Sequence, residues 1–180
     1  MSNTIELYAL PNLQGDFKPL NADCDDLLMF KFLKHAQSLR VHGDPWIVFT
    51  GTKYQGEFTY YKEGTYNSLQ DFANKISSVR VVPGGFSKPE ITVYEKIDYK
   101  EKSVPLEKSA DSLKPYLFDD KASSHKTQHG AWILYDGEFY GGNRMFTVAG
   151  DEIPNYVSPE IIGVNSVKPI TGSEVSGASI

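Results

Sequence analysis

The chain contains one short stretch four times over, and that repetition limits its possible folds more than any other feature. The segments IELYALPNLQG (5–15), WIVFTGTKYQG (46–56), ITVYEKIDYKE (91–101) and WILYDGEFYGG (132–142) align without gaps. Their fourth residues, Tyr8, Phe49, Tyr94 and Tyr135, are separated by 41, 45 and 41 positions. The first and third copies are therefore 86 residues apart, as are the second and fourth, and Trp46 and Trp132 share the same offset. Such self-similarity means one supersecondary unit per copy, here in the order A, B, A, B.

Each copy opens with the apolar alternation of a half-buried strand, as in Ile5 and Leu7 or Trp46 and Val48. A second strand follows at FKPL (17–20), FTYY (58–61), SVPL (103–106) and MFTV (145–148). The copies close on SLRV (38–41), SSVRVV (77–82), SSHKT (123–127) and NSVKPI (165–170). Four short strands in about 40 residues is the count of a Greek key, and two keys supply two sheets with one core. The expected fold is all-β: two β-sandwich domains, each of two Greek-key motifs. VPGGFSKPE (82–90), with two prolines and two glycines, marks the boundary. It divides the chain into a first domain at 1–84, a linker at 85–90 and a second domain at 91–170, followed by a flexible tail at 171–180 rich in small polar residues. One short helix is expected over Asp25–Ala36.

Within each copy the pattern is aromatic, four residues, aromatic, one residue, glycine. Phe49-TGTK-Tyr54-Q-Gly56 and Tyr135-DGEF-Tyr140-G-Gly142 fit it fully. Leu13 replaces the second ring in the first copy, and Glu101 replaces the glycine in the third. A hairpin folded over its own sheet stacks two rings and then needs a backbone with positive φ, so the third hairpin is expected to be looser or differently turned. The motif, its pairing and its period resemble the βγ-crystallin superfamily. The resemblance is to non-lens, two-domain members such as amphibian epidermis-type proteins, some of which are fused to aerolysin-type pore-forming modules.

The stretch Asp119-Asp120-Lys121-Ala122-Ser123-Ser124 carries the most suggestive chemistry. Calcium takes six to eight hard oxygen ligands, and adjacent carboxylates followed by hydroxyls supply several from one loop. The resemblance implies an acid-acid-x-x-hydroxyl-Ser loop that works with its partner key and with the residue after each first hairpin ring. The implied calcium residues are Asp119, Asp120, Lys121, Ser123, Glu95 and Asp136. A weaker second candidate is Asn74 with Ser77 in Ala-Asn-Lys-Ile-Ser-Ser (73–78). The loops at 33–38 and 161–166 have lost both acids. Lens members usually have degraded loops, so the intact one favours the non-lens branch.

Other chemistry is poorly supported. The net charge of −5 gives no footprint for a phosphate backbone, so nucleic acid is not an expected partner. No apolar run approaches the roughly 20 residues of a membrane span. The first residues lack a basic segment followed by an apolar one, and the single cysteine, Cys24, has no internal partner. A cytoplasmic address is expected, with unconventional secretion compatible. Cys24 stands among Asp23, Asp25 and Asp26, which raise a thiol's pKa and make it inert. On a regular strand His125 and His129 would share a face about 13 Å apart, too far for one zinc ion. No phosphate loop, nucleophile elbow, HExxH or CxxC is present, so no catalytic residue is assigned and the chain is not expected to be an enzyme. The expectation is a structural, calcium-responsive binding protein, with self-association or a partner protein through its domain surfaces. The alternatives are a targeting or regulatory module of an aerolysin-type pore-forming protein, and a lens-like structural crystallin without calcium.

Overall fold

Why the repeats become corners is visible in the backbone of a computed structural model, which describes residues 3–117, 121–156 and 161–180. In every copy three residues adopt the left-handed conformation in the same order. They are Asn12, Leu13 and Gly15; Lys53, Tyr54 and Gly56; Asp98, Tyr99 and Glu101; and Phe139, Tyr140 and Gly142. This reversal folds each hairpin back and brings its rings together, with centroids 5.5 Å apart for Phe49–Tyr54, 5.5 Å for Tyr94–Tyr99 and 5.6 Å for Tyr135–Tyr140. In the first copy, which has Leu13, Tyr8 instead packs on Phe17 at 4.9 Å. The third hairpin departs from expectation. Glu101 takes φ 64°, close to the values of the three glycines, so the turn is the same despite the substitution.

The chain folds into two compact units, Met1–Val82 with Glu174–Ile180, and Pro83–Ser173. The first unit holds β1 (Thr4–Leu10), β2 (Gln14–Leu20), β3 (Ser38–His42), β4 (Trp46–Phe49), β5 (Phe58–Tyr61), β6 (Gly64–Tyr66) and β7 (Ser78–Val81). They form two antiparallel sheets, ordered β2-β1-β3-β6 and β5-β4-β7. The second unit holds β8 (Glu90–Lys96), β9 (Lys100–Leu106), β10 (Ser124–His129), β11 (Ala131–Tyr135), β12 (Arg144–Val148), β13 (Glu152–Ile153) and β14 (Ser166–Pro169). Its sheets are β13-β10-β8-β9 and β12-β11-β14. In each unit one strand crosses over: β6 and β13 belong by sequence to the second key but pair in the first key's sheet. The return crossing is made by isolated bridges, Cys24 to Val79 in the first unit, and Ala110 to Val167 and Ala122 to Val164 in the second. The two keys of a unit are thus laced together.

Each unit has its own apolar core between its sheets. Ile5, Leu7, Leu39, Trp46, Val48 and Val79 lead the first, and Ile91, Val93, Trp132, Leu134, Val164 and Val167 the second, all fully buried. At about 25 cal/mol per Å2 of apolar surface removed from water, these alternating strand faces are the main favourable contribution to folding.

One expectation is corrected. In place of a helix over Asp25–Ala36, the chain makes one 3-10 turn, Leu27–Phe30, capped by Asp26 Oδ1, which accepts the Leu28 N–H at 2.9 Å. Lys31 and Lys34 then adopt left-handed conformations, which no helix continues through, while Leu27, Phe32 and Ala36 still reach the core. Of the expected tail at 171–180, Glu174–Ile180 lies along β5. Gly177 N–H donates to the Tyr60 carbonyl at 2.9 Å and Ile180 N–H to that of Phe58 at 3.0 Å. β5 is a sheet edge with outward carbonyls, and small residues can approach it closely.

Holding a side chain at positive φ costs about 1–2 kcal/mol. Glu101→Gly is therefore expected to stabilise the second unit by up to about 1 kcal/mol, read as a higher urea midpoint at unchanged slope.

Candidate functional site

The loops that carry the candidate ligands end on a serine with a fixed duty. Ser38, Ser78, Ser124 and Ser166 are all fully buried. Each hydroxyl donates to the carbonyl that enters the corner, on Leu10, Gly51, Lys96 and Gly137, at 2.6–2.7 Å. Each accepts the N–H of the corner's second left-handed residue, Leu13, Tyr54, Tyr99 and Tyr140, at 3.0–3.1 Å. Ser124, the final serine of the candidate loop, is thus a structural clamp with no lone proton or open face to offer.

Two residues beyond each serine stands a cation, a regularity that only the fourfold alignment exposes. Arg80 lies 5.1 Å from the Tyr54 ring, Lys126 4.4 Å from Tyr99, and Lys168 5.1 Å from Tyr140. Such contacts contribute about 0.5–1 kcal/mol when exposed. The fourth, Arg40, faces the corner with Leu13 in place of a ring and pairs instead with Glu6 at 2.8 Å.

One residue before each serine, the side chains differ in a way that bears on ion binding. The backbone N–H groups of Gln37, Ser77, Ser123 and Asn165 donate to the carbonyls of Tyr8, Phe49, Tyr94 and Tyr135 at 2.8–2.9 Å. Gln37 Nε2 then reaches the Ala9 carbonyl at 2.9 Å, and Asn165 Nδ2 the Asp136 carbonyl at 2.7 Å. A backbone carbonyl only accepts, so these amides must present N–H rather than oxygen there. Ser77 carries a hydroxyl at this position, buried and without a hydrogen-bond partner among the described residues. Ser123 carries one that is half-buried.

The remaining candidates are placed as follows. Asp119 and Asp120 lie outside the described residues. The Lys121 stem lies against Gly163, where an added Cβ would meet Lys121 Cβ at 2.7 Å. A Lys ammonium repels cations, so Lys121 could serve an ion only through its main chain. The Asp136 carboxylate turns to its own hairpin, accepting the Asn143 N–H at 2.9 Å. Glu95 is half-buried and follows Tyr94, whose carbonyl holds the Ser123 N–H. Asn74 is exposed in a left-handed conformation, and its N–H donates to the Ala36 carbonyl at 2.8 Å. Among the described residues no cluster of three or more His, Cys, Asp or Glu side chains could hold a metal. No helix among them is long and apolar enough to cross a membrane.

Asp23 and Cys24 are absorbed into structure. Asp23 accepts from the Val81 N–H at 2.9 Å and pairs with Arg80 at 3.2 Å. Burial first, and then the charges of Asp25 and Asp26, raise the Cys24 thiol above its ordinary pKa.

The two strand histidines do not share an environment. An irregularity in β10 between Thr127 and His129 leaves His129 exposed, while His125 is fully buried. His125 Nδ1 lies 2.6 Å from the Tyr156 hydroxyl and Nε2 3.0 Å from Thr147 Oγ1. Thr147 gives its own proton to Asp151 Oδ2 at 3.0 Å and so accepts from the ring. Thr127 Oγ1 stands 2.8 Å from the same oxygen. That order fixes a neutral imidazole protonated at Nε2, with Nδ1 accepting from Tyr156. Burial lowers the ring's pKa to about 4, against the partial opposition of Asp151.

The unfolded chain binds a proton at His125 near pH 6.5, and the folded chain only near 4. The resulting stability is complete above pH 6.5 and is lost as pH falls through that window, by an amount on the order of 3 kcal/mol. Urea unfolding at pH 7.5 and 4.5 is expected to show this loss in the second unit, and His125→Phe to flatten it. A second-unit midpoint that falls equally in the variant would refute the assignment.

Comparison with known proteins places these features. The family model described as "Beta/Gamma crystallin" matches residues 4–82 and 90–170. The "Epidermal differentiation-specific protein" of Cynops pyrrhogaster is 33% identical over 165 residues, which is 91% of this chain and 47% of that protein. "Beta/gamma crystallin domain-containing protein 1" of Homo sapiens is 29% identical over 161 residues, 86% of this chain and 7% of that protein. The solution structure of "Protein S complexed with calcium" is similar at 19% identity with a TM-score of 0.39, covering 94% of this chain and all of that one. The chain spans less than half the length of the newt and human relatives named here.

Proposed function

Since the chain belongs to the beta/gamma crystallin family, we propose that it is a structural binding protein whose second unit takes up one calcium ion at the 119–124 loop. The observation that carries this reading is the contrast in the residues before the clamp serines. An amide N–H and a cation both present positive charge to a carbonyl. Gln37 and Asn165 therefore already supply, within the protein, the positive pole that an ion would bring to Ala9 and Asp136. Ser123 carries a hydroxyl at the equivalent place, with its N–H on the carbonyl of Tyr94, the residue before Glu95, and it follows Asp119 and Asp120 in sequence. This donor set of carboxylate, hydroxyl and main-chain oxygen suits a hard divalent cation. In the first unit Ser77 offers a hydroxyl but only Asn74 beside it in the loop, which makes that site the poorer one.

Bound calcium would tie together the two keys of the second unit and add RT ln(1 + [L]/Kd) to its stability. The enzyme class is set aside at the family level, because the relatives named above are crystallin-type structural proteins. A modular role is favoured by length: in the newt and human relatives the matched segment is less than half of a longer chain. In that arrangement these two units would be the binding part of a larger protein, and an aerolysin-type partner module is one such arrangement. Sequencing the transcript beyond the codon for Ile180 tests it.

At a hundredfold excess over Kd, calcium is expected to stabilise the second unit by about 2.7 kcal/mol and raise its melting temperature by several degrees. The first unit should change little. Calorimetric titration should give close to one ion per chain, and Asp119→Asn combined with Asp120→Asn should abolish both signals. No binding heat together with an unchanged melting temperature at millimolar calcium would remove the site.

A further inference from the structure

The ordered segment Glu174–Ile180 rests on a receptor that is specific in shape and chemistry. Val175–Ala178 forms a tight turn, with the Ala178 N–H donating to the Val175 carbonyl at 3.0 Å and Gly177 at φ 89°. Gly177 is required on a second count, since a Cβ there would meet the Tyr61 ring at 3.1 Å. Besides the two backbone bonds to β5, Ser176 Oγ donates to the Tyr60 carbonyl at 3.2 Å and stands 3.1 Å from the Tyr66 hydroxyl. The hydroxyls of Thr59 and Tyr60 donate to the carbonyls of Ala178 and Glu174. Ser179 Oγ reaches Glu57 Oε2 at 3.1 Å.

The segment places no side chain of its own in the core. Its only large aliphatic residue before the terminal isoleucine, Val175, is 75% exposed, and no residue from 171 to 180 is buried. Attachment chiefly through hydrogen bonds is finely balanced, because the net gain from one such bond is comparable to the cost of ordering one residue. β5 is meanwhile an edge strand, and an edge stripped of its cover accepts other extended segments.

We infer that Glu174–Ile180 is a releasable strap over the β5 edge of the first unit. Once vacated, that edge is a docking site for the same segment of a second copy. The strap's register depends on glycine at 177, and its release opens a strand-addition site without unfolding the unit.

Hydrogen exchange on the 15N-labelled full chain tests release, and titration with a synthetic Glu174–Ile180 peptide to millimolar concentration tests the site. The Gly177 and Ile180 amides are expected to be protected about 10- to 1,000-fold over free peptide, and far less than Val48 in the core. The peptide should shift the resonances of Phe58–Lys62 and Tyr66, and a Gly177→Val peptide should not. In the full chain Gly177→Val should remove protection at Ile180 and leave Val48 unchanged. Exchange of Gly177 at the free rate would show that the strap does not dock. Exchange as slow as Val48 would show that it is not released, and a silent peptide titration would eliminate the docking site. Each of these three results overturns the inference.

Discussion

The hydrogen bonds of four buried serines hold the architecture in place. A corner with three left-handed residues is strained wherever it is not glycine, and each here contains at least two side chains in that conformation. The serine hydroxyl bridges the strained turn at both ends, donating to the carbonyl before it and accepting the N–H within it. Because the serine belongs to the closing strand, this bond also sets where that strand lies against the opening strand. Ser38 stands opposite Tyr8, Ser78 opposite Phe49, Ser124 opposite Tyr94 and Ser166 opposite Tyr135. Corner, register and sheet are one construction, repeated four times. In three copies the corner adds a ring pair and a cation over its second ring.

This dependence also explains the chemistry of the loops. A clamp serine cannot move without unfolding its corner, so the residue before it is held at a fixed place beside the opening strand's carbonyls. What that residue is then decides the character of the loop. Amides at 37 and 165 make hydrogen bonds to carbonyls, while hydroxyls stand at 77 and 123. The same scaffold position thus carries a hydrogen-bonded amide in two copies and a hydroxyl in the other two.

Much of this was legible in the sequence, because period and alternation are properties of residue order. The 86-residue offset gave the pairing of units, and the alternation at Ile5 and Leu7 or Trp46 and Val48 gave the strands and the buried faces. What stayed hidden depends on backbone geometry or on polar contacts. The 25–36 stretch spaces Leu27, Phe32 and Ala36 in a way a helix could bury, but left-handed turns at Lys31 and Lys34 deliver the same residues to the core. The small polar tail has the composition of a mobile segment. Docking by hydrogen bonds to an edge leaves no apolar signature to read. His125 looked like one of a matched pair, and a single irregularity in β10 sent it and His129 into opposite environments. The serine-x-cation pattern was present in all four closing strands, but only coordinates connect it to the tyrosine rings.

The crossing of β6 and β13 into the neighbouring key's sheet has a consequence for how such chains can change length. A lone key would lack the strand that completes its sheet and would donate one with nowhere to go. Insertion, loss or shuffling of genetic material within this architecture therefore has to proceed by pairs of keys, and a break inside a pair leaves two halves that are each missing a wall. The count of keys in any viable descendant of this chain should be even.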